Sequence, residues 1–269
     1  MRLDLLLGSI KRRSPRPIKL YLRYFKEYGR WPNLLFPRLF SEKLYSRLLN
    51  PLPEFTPLSD KVAVRSYVKD VLPSEVLIPQ YGVYDKLSVR DLDLLPSSFV
   101  LKANHGAGFI KIVKNKKEIN LQDLLLEANN WLTIDYSARY QELHYKPILP
   151  KLIVEKALLN KGKPPTDYKV HVFNAAQGEN AYIFIQLMEV VGAVKKHFFM
   201  TEDWQPTPFS VDRDGMEDID NSHVLRKPPL LPELLQASLK LAQPFNYVRL
   251  DWYIPVSYTH LTLPTNVNV

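Results

Sequence analysis

The sequence predicts an α+β fold, on three observations. Helical patterns fill the first part of the chain, several strand-like runs of antiparallel character follow, and the regular strand–helix alternation of a doubly wound sheet is absent. With 269 residues, 46% hydrophobic and 24% charged, the chain can build one large domain or two modest ones around a packed core. It has no cysteine, which excludes disulfides and thiol catalysis. No run reaches the roughly 20 apolar residues of a membrane span. The opening "MRLDLLLGSIKRR" lacks the form of a signal peptide, because Asp4 interrupts its apolar run.

Residues 15–50 read as helices broken at Pro32 and Pro37. Within them "FSEKLYSRLL" takes Ser41 as its cap and Leu44, Leu48 and Leu49 as its apolar face. "LSDKVAVRSYVKDVL" is a second helix, capped by Ser59 or Asp60 and apolar at Val62, Val64, Tyr67, Val68 and Val71. "VLIPQYGVYD" reads as a short strand-pair region and "VRDLDLLP" as a short helical turn. Residues 99–102 and 110–114 read as strands joined by a glycine turn. "LQDLLLEANNWLTIDY" is amphipathic helix, and residues 152–158, 167–174 and 181–187 are strands. "LLPELLQASLKLAQPF" is helix, with Pro232 in its first turn, and "YVRLDWYI" is strand.

The formal net charge of +8 is concentrated at one end: residues 1–47 hold twelve Lys/Arg and three acids. Residues 1–34 are expected to form a basic helical arm. Two roles fit it: Leu5–Leu7 and Ile10 entering an anionic membrane surface, or a solvated basic helix packed on the domain through Leu20, Leu22 and Phe25. The expected location is cytoplasmic, peripheral at the inner membrane face if the first role holds. No recognisable module joins the basic residues, so nucleic acid is not an expected partner.

Chemistry is suggested first by "FVLKANHGAGFIKIVKNK". Lys102 leaves an apolar strand beside a turn holding His105, Gly106 and Gly108, in a chain with only 9 glycines. Backbone N–H groups of such a turn, together with an ammonium, suit a phosphate. A hairpin that needs glycine for positive φ explains the turn nearly as well. Glu155 in "LIVEKALL", Lys169 in "TDYKVHVFN", and Arg249 and Asp251 in "YVRLDWYI" are further charges on strands. Strand charges are costly unless paired or facing a wet cleft. They read either as mutual salt bridges or as the lining of one polyphosphate–metal cleft.

These segments, with "LPSSFVLKANHGAGFIKIVKNK" and "HYKPILPKLIVEKALL" at its centre, resemble the TupA-like ATP-grasp family of bacterial polysaccharide and teichuronopeptide gene clusters, over residues 35–255. Ala175–Ala176, His171 and Val172 depart from its pattern. The resemblance implies an ATP-grasp fold, two α+β lobes with ATP between them. It implies that Lys102 and Lys169 meet the ATP phosphates, covered by the loop of His105, Gly106 and Gly108. The strand end Glu155, Lys156 and Leu158 would meet adenine and ribose, the ribose through the Glu155 carboxylate. Asp251 would bind Mg²⁺, and Arg249 and Lys169 would be catalytic. The implied reaction activates a carboxylate as an acyl phosphate for attack by an amine, joining an amino acid or peptide to a glycan. A glycosyltransferase using an Asp-x-Asp at Asp91–Asp93 or Asp218–Asp220 remains an alternative, as does a non-catalytic adaptor.

The tail "VSYTHLTLPT" resembles an in-frame translation of a transposon-end sequencing adapter, so residues 256–269 are expected to be non-native. A β-rich tail is the other reading. On the first, this chain is expected to be an inactive fragment of a ligase that lacks the strand bearing the remaining Mg²⁺ ligands.

Overall fold

The computed structural model describes residues 14–159, 162, 164–174, 180–191, 194–209, 225–254 and 267–268. The expected contacts of Leu5–Leu7 and Ile10, the Ala175–Ala176 turn, Asp218–Asp220 and all of the tail except residues 267–268 lie outside them. In chain order the described elements are α1 (Arg16–Tyr28), α2 (Phe40–Leu49), α3 (Phe55–Ser59), α4 (Val64–Val71), β1 (Gln80–Tyr84), α5 (Val89–Leu94), β2 (Phe99–Ala103) and β3 (Ile110–Val113). There follow α6 (Leu121–Trp131), α7 (Tyr136–Tyr140), β4 (Leu152–Lys156), β5 (Asp167–Phe173), β6 (Tyr182–Val191), β7 (Val194–Thr201), α8 (Leu231–Ala242), β8 (Tyr247–Tyr253) and β9 (Val267–Asn268). The α+β class is as expected.

The chain divides into two compact units, Met1–Thr56 with Ile134–Ile148, and Pro57–Thr133 with Leu149–Val269. In the first, α1 starts on prolines and ends at Gly29, whose φ of 69° lets its N–H return to the Phe25 carbonyl at 2.8 Å. Leu20 and Tyr24 of α1 are buried with Leu34 and with Tyr45 of α2. Leu20 packs as expected, whereas Phe25 lies at the surface against Trp31. Ser41 is not the cap of α2. Its hydroxyl shares a hydrogen bond with the Tyr24 phenol (2.9 Å), and the Glu42 carboxylate instead accepts the backbone N–H groups of Asn33, Arg38 and Leu39. The helix starts one residue before Ser41, with Leu39 as its N-cap, and the Glu42 charge is favourable in that first turn. Those bonds hold its pKa below the usual carboxylate range.

The second unit contains two antiparallel sheets. One has the order β1-β4-β2-β3, the other β7-β6-β5-β8-β9. Each is covered by helices on one face, as side-chain alternation requires. On the first sheet Phe99, Leu101, Ala103, Leu152 and Val154 pack against Leu92 of α5 and Leu124, Ala128 and Trp131 of α6. On the second, Val170, Val172, Ile185, Val248, Leu250 and Trp252 pack against Val64 and Val68 of α4 and Leu234 and Leu241 of α8. The Trp252 indole N–H donates to Ser238 Oγ at 2.8 Å, so this buried ring has its polar atom satisfied. β7 is the strand the sequence conceals. In "VKKHFFMT" two adjacent lysines break the alternation, and the strand lies at a sheet edge, where lysine is commonly tolerated. In the tail, Val267 and Asn268 pair with Leu250 and Arg249.

Candidate nucleotide site

The uncovered face of the first sheet carries Lys102. Val100 and Lys102 of β2 lie opposite Glu155 and Ile153 of β4, and opposite Ile112 and Ile110 of β3. Because Leu101 and Ala103 must enter the core, Lys102 must point to the other face. Its Nζ donates to Glu155 Oε2 at 2.7 Å, and Arg65 of α4 donates to Glu155 Oε1 at 3.2 Å and to the Ile78 carbonyl at 2.9 Å. Glu155 is fully buried. A ribose contact by this carboxylate would therefore compete with two cations that already hold both of its oxygens. Lys156 is likewise committed through its backbone, its N–H donating to the Pro79 carbonyl at 2.9 Å.

Lys61 belongs to the same cluster. Its Nζ donates to the Gly106 carbonyl at 2.5 Å, which ties the glycine turn to the segment leading into α4. Burial and then the Lys102 ammonium lower its pKa to about 8, against the opposing pull of Asp60 and Glu155. Three cations thus surround one fully buried carboxylate. The turn itself is braced by Asn104, whose side chain donates to Asp60 Oδ1 (2.9 Å) and to the Leu149 carbonyl (3.0 Å) and accepts from the Lys151 N–H (2.7 Å). Gly108 adopts φ 83°, which suits glycine; Gly106 is not in that region. His105 is buried in the turn, its ring 5.5 Å from that of Phe109.

Beside Lys102 and Glu155 opens a pocket walled by Ile78, Val100, Ile110, Ile112, Leu158, Pro164, Pro165 and Tyr253. Ile110 and Ile112 are 46% and 38% exposed on the sheet face opposite the one packed by α5 and α6. Aliphatic walls beside an ammonium group are the kind of lining that a flat base and its phosphates can use.

Tyr253 links this pocket to the second sheet. Cross-strand register places Tyr253, Asp251, Arg249 and Tyr247 of β8 opposite Asp167, Lys169, His171 and Phe173 of β5. Their neighbours face the helices, so these side chains line the uncovered face. Arg249 grips Asp251 with two hydrogen bonds, Nε to Oδ1 at 2.8 Å and Nη2 to Oδ2 at 3.1 Å. Lys169 pairs with Asp167 Oδ2, while Asp167 Oδ1 is buried without a hydrogen-bond partner. Burial first, and then the charges of Asp167, Asp251 and Glu155, push the Tyr253 phenol pKa up. For Mg²⁺ the fit is partial. The ion commonly takes one or two carboxylates and fills its shell with water and phosphate oxygens. Asp251 would supply one of these, with Arg249 releasing an oxygen, and Asp167 has one unpartnered oxygen nearby. No cluster of three His, Cys, Asp or Glu occurs among the described residues.

His171, set down in the sequence only as a departure, sits in a hydrogen-bonded row across four strands. Its ring nitrogens meet the Tyr247 hydroxyl (3.0 Å) and Gln186 Oε1 (3.2 Å), and Gln186 Nε2 meets His197 Nδ1 (3.0 Å). Burial and the Arg249 cation lower its pKa to about 4. The unfolded imidazole, at its ordinary 6.5, binds a proton in the window between 6.5 and 4 where the folded one does not. Stability should therefore fall as pH drops through that window, by at most about 3 kcal/mol from this group. Urea midpoints measured at both ends of the window should differ. His171→Gln should narrow the difference, leaving a share to His144, which burial lowers to about 4 as well.

Of the residues expected from sequence, Lys102, Glu155 and Leu158 share the pocket, Lys156 lines it, and Gly106 is joined to their cluster through Lys61. Lys169, Arg249 and Asp251 share the polar face of the other sheet, which reaches the pocket at Tyr253. Lys61, Arg65, Asp167 and Tyr253 went unrecognised in the sequence. Lys61 did leave a signal, a cation beside the N-terminus of a helix, where the dipole disfavours positive charge. Asp91, offered for a metal-binding Asp-x-Asp, is the capping partner of Ser88 on α5 (2.9 Å from its N–H).

Among solved structures the chain is similar to N5-carboxyaminoimidazole synthetase from Staphylococcus aureus, at 13% identity, 79% of this chain, 44% of that one and a TM-score of 0.42. It is also similar to D-alanine–D-alanine ligase from Bacillus anthracis complexed with ATP, at 16% identity, 81% and 57% coverage and a TM-score of 0.45. The ATP-grasp ligase PsnB, complexed with a precursor variant, Mg and ADP, gives 9%, 80%, 52% and 0.42. The chain spans about half the length of these proteins. No protein of curated function matches it. A family profile described as TupA-like ATPgrasp matches residues 42–258, and this match over most of its length shows that the chain belongs to the TupA-like ATP-grasp family.

Proposed function

We propose that this protein is the nucleotide-binding part of an ATP-dependent carboxylate–amine ligase. The observation that carries the reading is the excess of positive charge beneath the glycine turn, where three cations, Lys61, Lys102 and Arg65, meet two carboxylates, Glu155 and Asp60. Such an arrangement is costly by itself and is offset when a polyanion completes it. Family membership supports ATP as that polyanion. Lys102 then binds phosphate, with Glu155 and Arg65 fixing its direction. The apolar slot holds adenine against Ile110, Ile112 and Leu158.

ATP supplies the phosphoryl group that converts a substrate carboxylate to an acyl phosphate, releasing ADP. An amine then displaces phosphate to give the amide. Two anions must approach for the first step, and Lys169 and Arg249 on the neighbouring face are the groups to neutralise them. Mg²⁺, held by Asp251 and phosphate oxygens, would add to that neutralisation. The substrate pair we propose is an amino acid or peptide and a cell-surface glycan. No described Asp-x-Asp is free to favour a glycosyltransferase.

The test is ADP release in the presence of Mg²⁺, screened against pairs of carboxylate and amine donors. Turnover that requires both donors supports a ligase, and donor-independent hydrolysis does not. Lys61 adds a pH signature. Its ammonium is lost above a pKa of about 8, so ATP affinity should weaken severalfold from pH about 7 to about 9. Lys61→Met should bind more weakly at the lower pH and lose most of that dependence. A wild-type affinity that is flat across this range would remove Lys61 from the site.

A further inference from the structure

The segment from Trp31 to Phe40, "WPNLLFPRLF", is pinned in shape yet presents its largest side chains to solvent. Leu34 is buried among Leu20, Tyr24 and Tyr45. Glu42 accepts N–H groups from Asn33 (3.1 Å), Arg38 (3.0 Å) and Leu39 (3.1 Å), and the Phe36 N–H donates to Asn33 Oδ1 at 3.0 Å. Between these fixed points Leu35 and Phe36 are each 77% exposed, and Trp31, stacked on Phe25 at 4.6 Å, is 61% exposed. Adjacent large apolar residues held out by a braced loop mark a surface that is covered in use.

Charge decides what covers it. Residues 14–50 hold eight Lys/Arg and two acids. Both acids are engaged internally, Glu42 on backbone N–H groups and Glu27 on the Tyr45 hydroxyl at 2.7 Å. Lys26, Arg30, Arg38 and Lys43, which flank the apolar residues in the sequence, are exposed. Exposed apolar and aromatic side chains in a stretch of surplus positive charge match the boundary between anionic headgroups and acyl chains. We infer that this loop docks on an anionic membrane surface, with Leu35 and Phe36 entering beneath the headgroups and Arg30 and Arg38 at the lipid phosphates. No helix of the described residues is long and apolar enough to cross a membrane. The inference goes beyond the ligase reading and stands without it.

Co-sedimentation of the full chain with phosphatidylcholine vesicles, with and without phosphatidylserine, tests it. The chain should bind only the anionic vesicles and release at high salt. Leu35→Ala/Phe36→Ala should weaken binding about tenfold or more with no change in thermal midpoint, since both side chains lie outside the core. Arg30→Glu/Arg38→Glu should weaken it about as much. Undiminished binding by both double variants would overturn the assignment of this loop. So would failure of the wild type to bind anionic vesicles. If in that case the chain forms dimers that Leu35→Ala/Phe36→Ala dissolves, the loop is an interface between copies of the chain.

Discussion

Glu155→Leu should destabilise the protein by about 3–5 kcal/mol, the cost of leaving buried charge without its partner. The side chain lies at 0% exposure between Lys102 and Arg65. Leucine preserves the volume, so the loss would be electrostatic and not a cavity effect. Two cations, with Lys61 nearby, would then repel one another in a partly dry setting. Chemical denaturation gives the number. The cause can be isolated with the double variant Glu155→Leu/Lys102→Met, which removes the carboxylate and one stranded cation together. It should recover part of the loss, giving a coupling energy of about 1–3 kcal/mol. ATP should also raise the melting temperature of Glu155→Leu, because the nucleotide supplies negative charge to the same place.

Lys102→Ala should have the opposite profile. Arg65 still neutralises Glu155 when Lys102 is gone, so the fold survives with a modest loss of stability. On the proposed reading the nucleotide would lose its charge-assisted contact beside the apolar slot. ATP affinity should fall about a hundredfold, the scale of a desolvated lysine–phosphate hydrogen bond. The pair of variants therefore separates roles: one residue mainly holds the site together, the other mainly holds the ligand. An unchanged ATP affinity in a well-folded Lys102→Ala protein would remove this lysine from the binding site.

The parts of this arrangement that sequence reveals are those set by alternation and by turn chemistry. Phe99, Leu101 and Ala103 had to enter a core, so Lys102 between them had to face the other way, and the glycines after it marked a turn. The same logic located Lys169, Arg249 and Asp251 on strands. The pairing partners were hidden, because they depend on which strands become neighbours. That β4 lies between β1 and β2, bringing Glu155 to Lys102, follows from a sheet order no local pattern encodes. Arg65 was hidden differently: in the sequence it belongs to the polar side of an amphipathic helix, and only packing turns it towards Glu155. Ser41 as a cap failed because the helix already begins at Phe40, which leaves the Ser41 hydroxyl inside the first turn instead of before it.

The central claim is that the cation-rich slot beneath the glycine turn binds a nucleotide. Isothermal titration calorimetry of the full chain with ATP, with and without Mg²⁺, tests it most directly. Saturable one-to-one binding is expected, displaced by ADP and reduced about a hundredfold by Lys102→Ala. A folded wild-type chain that takes up no ATP under either condition, or one that binds it equally well without Lys102, would contradict it.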